Sequence, residues 1–183
     1  AKIIEPDEGS ASINLKVSYK PQYLDSSSDE IVTAILSKET DIESSFFKAN
    51  LLEPLQLEHL MLRQLNELSG GELQRVSIAL CLARSADLYL LDEPSAYLDV
   101  EQRLSVSNVI RSIMELRGNS ALVVDHDLLF IDYLSDRLIV FEGVPAVRGT
   151  AKGPFVRSEG MNLFLADLNL TFRRDPDSNR PRA

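Results

Sequence analysis

Thiol chemistry is almost absent from this 183-residue chain, whose only cysteine is Cys81. One cysteine closes no internal disulfide and by itself holds neither a structural zinc nor an iron-sulfur cluster. It lies in a helical apolar run and is expected to act as a small core residue. Positive charge is scarce as well: 19 Lys and Arg stand against 28 Asp and Glu, for a net charge of −9. A chain so acidic does not bind nucleic acid by global attraction, which depends on cations neutralising phosphates, although local basic contacts stay open. No apolar run reaches the ~18 residues of a membrane span and no signal-peptide pattern occurs, so a soluble, intracellular protein is expected. There is no internal repeat, and Ser26-Ser27-Ser28 reads as a loop. What the chain does have is 44% hydrophobic residues, enough to bury the core of one domain.

The most informative stretch runs from Leu68 to Asp99. Ser69 followed three residues later by Glu72 is the pattern of a capping box, in which the hydroxyl accepts from the Glu72 amide and the carboxylate reaches back to the Ser69 amide. A helix therefore starts here, with Gly70 and Gly71 in its first turn, where a missing Cβ lets an anion approach free backbone N–H groups. Alone, this is also the pattern of an ordinary capped helix. About twenty residues on, Leu88-Tyr89-Leu90-Leu91 is a short apolar run without alternation, as in a parallel strand buried on both faces. It ends in Asp92-Glu93-Pro94, at the strand edge where open α/β sheets bind ligands. Asp92 suits a Mg²⁺ position, directly or through water, and Glu93 can orient and deprotonate an attacking water. The two patterns together indicate an ATP site.

The rest of the chain fits an α/β architecture. Ala1 to Ile4 reads as the end of a helix, stopped by a turn over Glu5 to Gly9. Ile13, Leu15, Val17 and Tyr19 alternate with polar residues, the period of a half-buried strand, which puts Gln22 at its end. From 29 to about 84 the pattern is helical, with a break near Pro54; His59 falls there and is assigned no role. Val100 to Arg117 is a long amphipathic helix with Gly118 as its stop. Ala121 to Val124 is expected to be a second buried strand, ending in Asp125-His126-Asp127. Leu128 to Ser135 reads as a short helix, Arg137 to Phe141 as a third buried strand, 144–150 as a hairpin-like return, and Ser158 to Leu168 as a helix. The end of the chain, 169–183, carries four Arg against two Asp in its last eleven residues, either a contact for phosphate or an acidic surface, or a solvated tail.

In this order the residues resemble the nucleotide-binding domain of an ATP-binding-cassette (ABC) ATPase. Gln22 resembles the Q-loop glutamine, Leu68 to Glu72 the signature, Leu88 to Asp92 the Walker B strand, Glu93 its catalytic acid, Ser95 to Asp99 the D-loop and His126 the switch histidine. Tyr19-Lys20-Pro21-Gln22-Tyr23, the D-loop with Tyr97 and Thr171-Phe172-Arg173-Arg174-Asp175-Pro176 narrow the match to the second cassette of the ABC-E, or RNase L inhibitor, family of ribosome-recycling ATPases.

The resemblance implies a mostly parallel sheet with a helical subdomain (about 29–84) before the signature, a partial cassette over 1–168 and a hinge-like segment over 169–183. It implies ATP and Mg²⁺ as cofactors, with no iron-sulfur cluster in this chain. Glu93, His126 and Gln22 would be catalytic, Asp92 and Gln22 would support the metal, and Ser69, Gly70, Gly71, Glu72 and Asp99 would bind nucleotide, the signature residues among them that held by a second cassette of the same polypeptide. Further partners would be the ribosomal small subunit and a release or rescue factor, and no membrane, in archaeal or eukaryotic cytoplasm. One departure is large: no Gly-x-x-x-x-Gly-Lys-Ser/Thr occurs anywhere, so the backbone cradle and lysine for the β- and γ-phosphates are missing. The helix-like opening suggests that such a loop precedes Ala1, and the isolated chain is expected to bind ATP weakly or not at all. A non-catalytic half-cassette scaffold and a transporter ATPase cassette remain as alternatives.

Overall fold

A computed structural model describes residues 14–22, 27–144, 147–167, 173–174 and 181–182. The expected helix end at Ala1–Ile4, the turn at Glu5–Gly9, Ile13, Tyr23 and most of the basic 169–183 segment lie outside them. The chain divides into two compact units, Ala1–His126 and Asp127–Ala183.

The first unit is built on a parallel sheet of β1 (Val17–Lys20), β2 (Leu88–Asp92) and β3 (Ser120–Val124), with β2 in the centre. Lys20 pairs with Leu91, and Asp92 with Val124, so the carboxyl ends of all three strands lie together. Parallel neighbours need crossovers. Between β1 and β2 the chain passes through α1 (Val32–Ser37), α2 (Ser45–Phe47) continuing into a π-helical turn at Lys48–Leu52, and then α3 (Gly70–Ala83). Between β2 and β3 it forms α4 (Val100–Arg117), which ends where Gly118 takes up φ 65°, a left-handed conformation that glycine adopts without a Cβ clash.

The core is centred on α3, whose residues from Gln74 to Ala83 are all buried. An all-round buried helix must satisfy its last carbonyls from outside. Arg117 does this from the end of α4: its Nη1 donates to Leu82 O at 2.8 Å and to Arg84 O at 2.9 Å, while Tyr89 Oη donates to Arg84 O at 2.7 Å. Two buried polar side chains on α3, Gln74 and Arg75, are also hydrogen-bonded to backbone carbonyls. Arg75 Nη1 donates to Leu55 O (2.7 Å) and Gln56 O (3.1 Å), tying α3 to the turn that follows Pro54.

The sheet corrects three expectations. In β1 the side chains turned into the protein are the polar ones, Ser18 and Lys20, whereas Tyr19 is half exposed. Hydrogen bonds make this possible: Ser18 Oγ donates to Cys81 O at 2.8 Å, and the Lys20 ammonium donates to two backbone carbonyls. Strand β2 is covered on the Tyr89 and Leu91 side and half exposed on the other. Among the described residues β3 is an edge strand, with Leu122 and Val124 exposed, so an apolar run marked the strand but not its burial. Cys81 is buried as expected.

The second unit holds α5 (Leu128–Leu134), β4 (Arg137–Val144), β5 (Arg148–Val156) and α6 (Arg157–Asp167). The third strand pairs with the return expected after it as an antiparallel hairpin, β4 with β5, but it is not buried throughout: Phe141 is exposed on it. Helix α6 packs on this hairpin through buried Met161 and Leu165, and a Cβ at Gly160 would lie 2.7 Å from Leu138 Cβ. The described part of the basic segment forms a short antiparallel pair, Arg173–Arg174 with Pro181–Arg182.

Candidate functional site

Three of the side chains singled out in the sequence meet at the carboxyl edge of the sheet. Gln22 follows β1, Glu93 follows β2 and His126 follows β3. Gln22 Nε2 donates to Glu93 Oε2 at 2.7 Å, and His126 Nε2 stands 2.9 Å from Glu93 Oε1. The carboxylate is thus held on both oxygens. His126 itself is 86% exposed, so the assembly faces solvent.

Glu93 reaches this place through an unusual backbone, with φ 45°. A non-glycine residue there is strained, and such strain persists only where surrounding bonds over-determine it. They do so here. Glu93 N donates to Val124 O at 2.7 Å, and Glu93 O accepts from Gln74 Nε2 at 2.6 Å and from Ala96 N at 3.2 Å. The loop beyond is anchored by Asp125, whose carboxylate accepts from Ser95 N (2.9 Å) and Ser95 Oγ (2.6 Å).

Beneath the carboxylates lies Lys20, with 0% exposure. Its Nζ donates to Asp92 O at 2.8 Å and to Pro21 O at 2.9 Å, joining the end of β2 to the segment that carries Gln22. Burial pushes its pKa down to about 8, against the opposing pull of Asp92, Cys81, Asp125 and Glu93. Neither Lys20, Gln74 nor Asp125 was identified as a site residue from the sequence. A buried lysine has no sequence signature, and the partners of Lys20 and Gln74 here are backbone carbonyls.

Asp92 and Gln22 supply oxygen donors of the kind Mg²⁺ prefers. Among the described residues no cluster of three or more His, Cys, Asp or Glu forms a metal cage, so an ion held here would take most of its ligands from phosphate and water. The residues fit that usage.

The other sequence-derived residues gather elsewhere, where the amino termini of α3 and α4 come side by side. Ser69 caps α3: Glu72 N donates to Ser69 Oγ at 3.4 Å, and Glu72 Oε2 accepts from Ser69 N at 2.8 Å and Ser69 Oγ at 2.7 Å. These bonds, the Ser69 backbone one first, hold the Glu72 pKa below its usual value, with Arg63 Nη1 3.3 Å away adding a smaller pull. His59, given no role, stands 3.8 Å from the same carboxylate. Asp99 caps α4, accepting from Gln102 N at 2.8 Å. Asp99 and the residues Ser69 to Glu72 therefore do not join Gln22, Glu93 and His126. The Gln74 bond to Glu93 O links the two groups through α3.

Comparison with known proteins bears on the family and the fold. The ABC transporter family profile matches residues 3–96. An uncharacterized ABC transporter ATP-binding protein of Methanocaldococcus jannaschii is 54% identical over 185 residues, covering 100% of this chain and 31% of its own length. The archaeal ribosome recycling factor in the crystal structure with ribosomal stalk protein aP1 is 56% identical, with a TM-score of 0.89, over 98% of this chain and 35% of that one. The structure of ribosome-bound archaeal Pelota and ABCE1 matches with a TM-score of 0.90 and 56% identity, over 100% of this chain and 31% of that one. The chain spans only 28 to 31% of the length of the curated relatives it matches across nearly all of its residues. Among the described residues no helix is long and apolar enough to cross a membrane.

Proposed function

Because this chain belongs to the ABC ATPase family, on its ABC-E branch, we propose that it supplies the catalytic acid and the signature of the second cassette of a ribosome-recycling ATPase. The observation that carries this reading is Glu93 gripped between Gln22 and His126 at the carboxyl edge of a parallel sheet.

In this reading Glu93 orients a water for in-line attack on the γ-phosphate of ATP and accepts its proton. Gln22 and His126 carry donors that can turn from the carboxylate toward phosphate oxygens, freeing Glu93 as a base at the moment substrate arrives. Asp92 and Gln22 would hold Mg²⁺, which when bound supplies charge neutralisation for the phosphates. The strained Glu93 backbone, pinned by Val124, Gln74 and Ala96, keeps the carboxylate placed during this exchange. Ser69, Gly70 and Gly71 cap the ATP bound by the other cassette of the same polypeptide, with Asp99 at the adjoining helix start.

Closure of the two cassettes on ATP, and reopening after hydrolysis, would drive separation of ribosomal subunits in the cytoplasm. The partners are the ribosomal small subunit and a release or rescue factor, a reading supported by the ribosome-bound relative. The chain contains no Gly-x-x-x-x-Gly-Lys-Ser/Thr, so by itself it is expected to bind ATP weakly and to hydrolyse none. In a two-cassette protein that carries this chain, Glu93→Gln should lower turnover by roughly 10²–10⁴ while leaving ATP-driven closure intact. Near-normal turnover would refute the assignment. Co-sedimentation with ribosomal small subunits, rather than capture by a membrane protein, separates recycling from transport.

A further inference from the structure

The D-loop residue Tyr97 is 65% exposed, yet its backbone sits at φ 62°. A bulky residue in the left-handed region is an outlier, and nothing in solvent requires it. The explanation lies in what the residue touches. A Cβ on Gly70 would lie 3.2 Å from both Cγ and Cδ1 of the Tyr97 ring and 3.5 Å from its Cβ. A Cβ on Gly71 would lie 2.9 Å from the Tyr97 carbonyl oxygen and 3.7 Å from Gln102 Oε1. The ring therefore rests on the first residue of α3, and the carbonyl beside it rests on the second. The two glycines are needed here for close approach of the D-loop, independently of any anion.

This contact joins two helix starts that are each closed by their own capping box, Ser69 with Glu72 and Asp99 with Gln102. The amides of Gly70 and Gly71 have no partner one turn back in the helix and are the groups such a start can offer to a phosphate. We propose that Tyr97 is a positioning residue for the signature: its ring and carbonyl lock the Gly70-Gly71 turn to the D-loop, so that signature amides and α4 meet the second cassette as one rigid edge. This rests on the function proposed above and extends it. The signature contact forms only when the cassettes close, so a loosened turn should slow the closed-state chemistry and spare the initial binding of ATP.

Two experiments test the proposal. In the chain itself, Gly70→Ala is expected to lower the melting temperature by about 2–4 °C. The same substitution in a Tyr97→Ala background should have little effect, because the ring it strikes is gone. Additive effects would overturn the contact. In a two-cassette protein carrying this chain, Tyr97→Ala should reduce kcat about tenfold with KM for ATP unchanged, and Tyr97→Phe, which keeps every contacting atom, should recover the lost rate. Unreduced kcat in Tyr97→Ala, or Phe failing to recover it, would overturn the positioning role while the coupling in the isolated chain stood. Undiminished turnover in a Glu93→Gln control would instead overturn the functional reading itself, and the positioning role with it.

Discussion

The two clusters of the first unit are built from opposite materials. Around Glu93, loop side chains from the ends of three strands touch one another, the backbone is strained, and a buried ammonium lies underneath. Around Ser69 and Asp99, the polar side chains are turned back onto their own helix starts, leaving backbone amides and a tyrosine ring as the outward groups. The first arrangement can move a proton. The second can only present a shape and a field, which suits a part that recognises nucleotide bound elsewhere.

That contrast can be broken at its strongest point by His126→Ala. If the imidazole steadies the reacting groups, kcat in a two-cassette protein should fall by about 10²–10³ with little change in KM. A fall confined to KM would move His126 from chemistry to binding.

A smaller effect should follow from Lys20. Its pKa falls from 10.5 to about 8 in the folded chain, so above 10.5 it is neutral folded or unfolded, and below 8 it is charged in both. Between these values the unfolded chain binds more protons, and stability rises with pH. Against Lys20→Met, which lacks this titration, the wild-type chain should gain on the order of 3 kcal/mol from pH 8 to 10.5, read by chemical unfolding. A parallel pH dependence in the two proteins would place the ammonium in solvent.

The mildest effect belongs to the signature cap. Ser69→Ala should cost about 1 kcal/mol, or about 2–4 °C in melting temperature. Because the folded Glu72 pKa is held down by Ser69, its contribution is present above its ordinary value of 4.5 and lost as pH falls through the folded value. Ser69→Ala removes the hydroxyl's share of this pull and keeps the larger backbone N–H bond, so the acid limb should flatten in part, and an unchanged limb would contradict the hydroxyl's place in the capping box.

What was legible in the sequence follows the same division. Helix α4 runs from Val100 to Arg117 and stops at Gly118, as read from its amphipathic period and terminal glycine, because both are local properties. The Ser69–Glu72 box was legible for the same reason. The meeting of Gln22, Glu93 and His126 could be anticipated from strand ends, since parallel strands bring their carboxyl edges together. Lys20 was not legible, because its partner carbonyl on Asp92 is 72 residues away and a lysine in an alternating strand reads as solvent-facing. The hairpin return after Arg137 to Phe141 was legible, but the exposure of Phe141 was not: an apolar run is equally compatible with a central strand and with an exposed antiparallel arm. Tyr97 escaped notice as a packing residue because its role depends on a positive φ, which only coordinates reveal.

The division of labour between the clusters is tested most directly by counting occluded nucleotide in a two-cassette protein that carries this chain. With radiolabelled ATP, Glu93→Gln should retain one unhydrolysed ATP at this cassette's own site, whereas Ser69→Arg should release the ATP held by the other cassette and leave the first in place. Loss of the same nucleotide in both variants would contradict the assignment of the two clusters to two different sites.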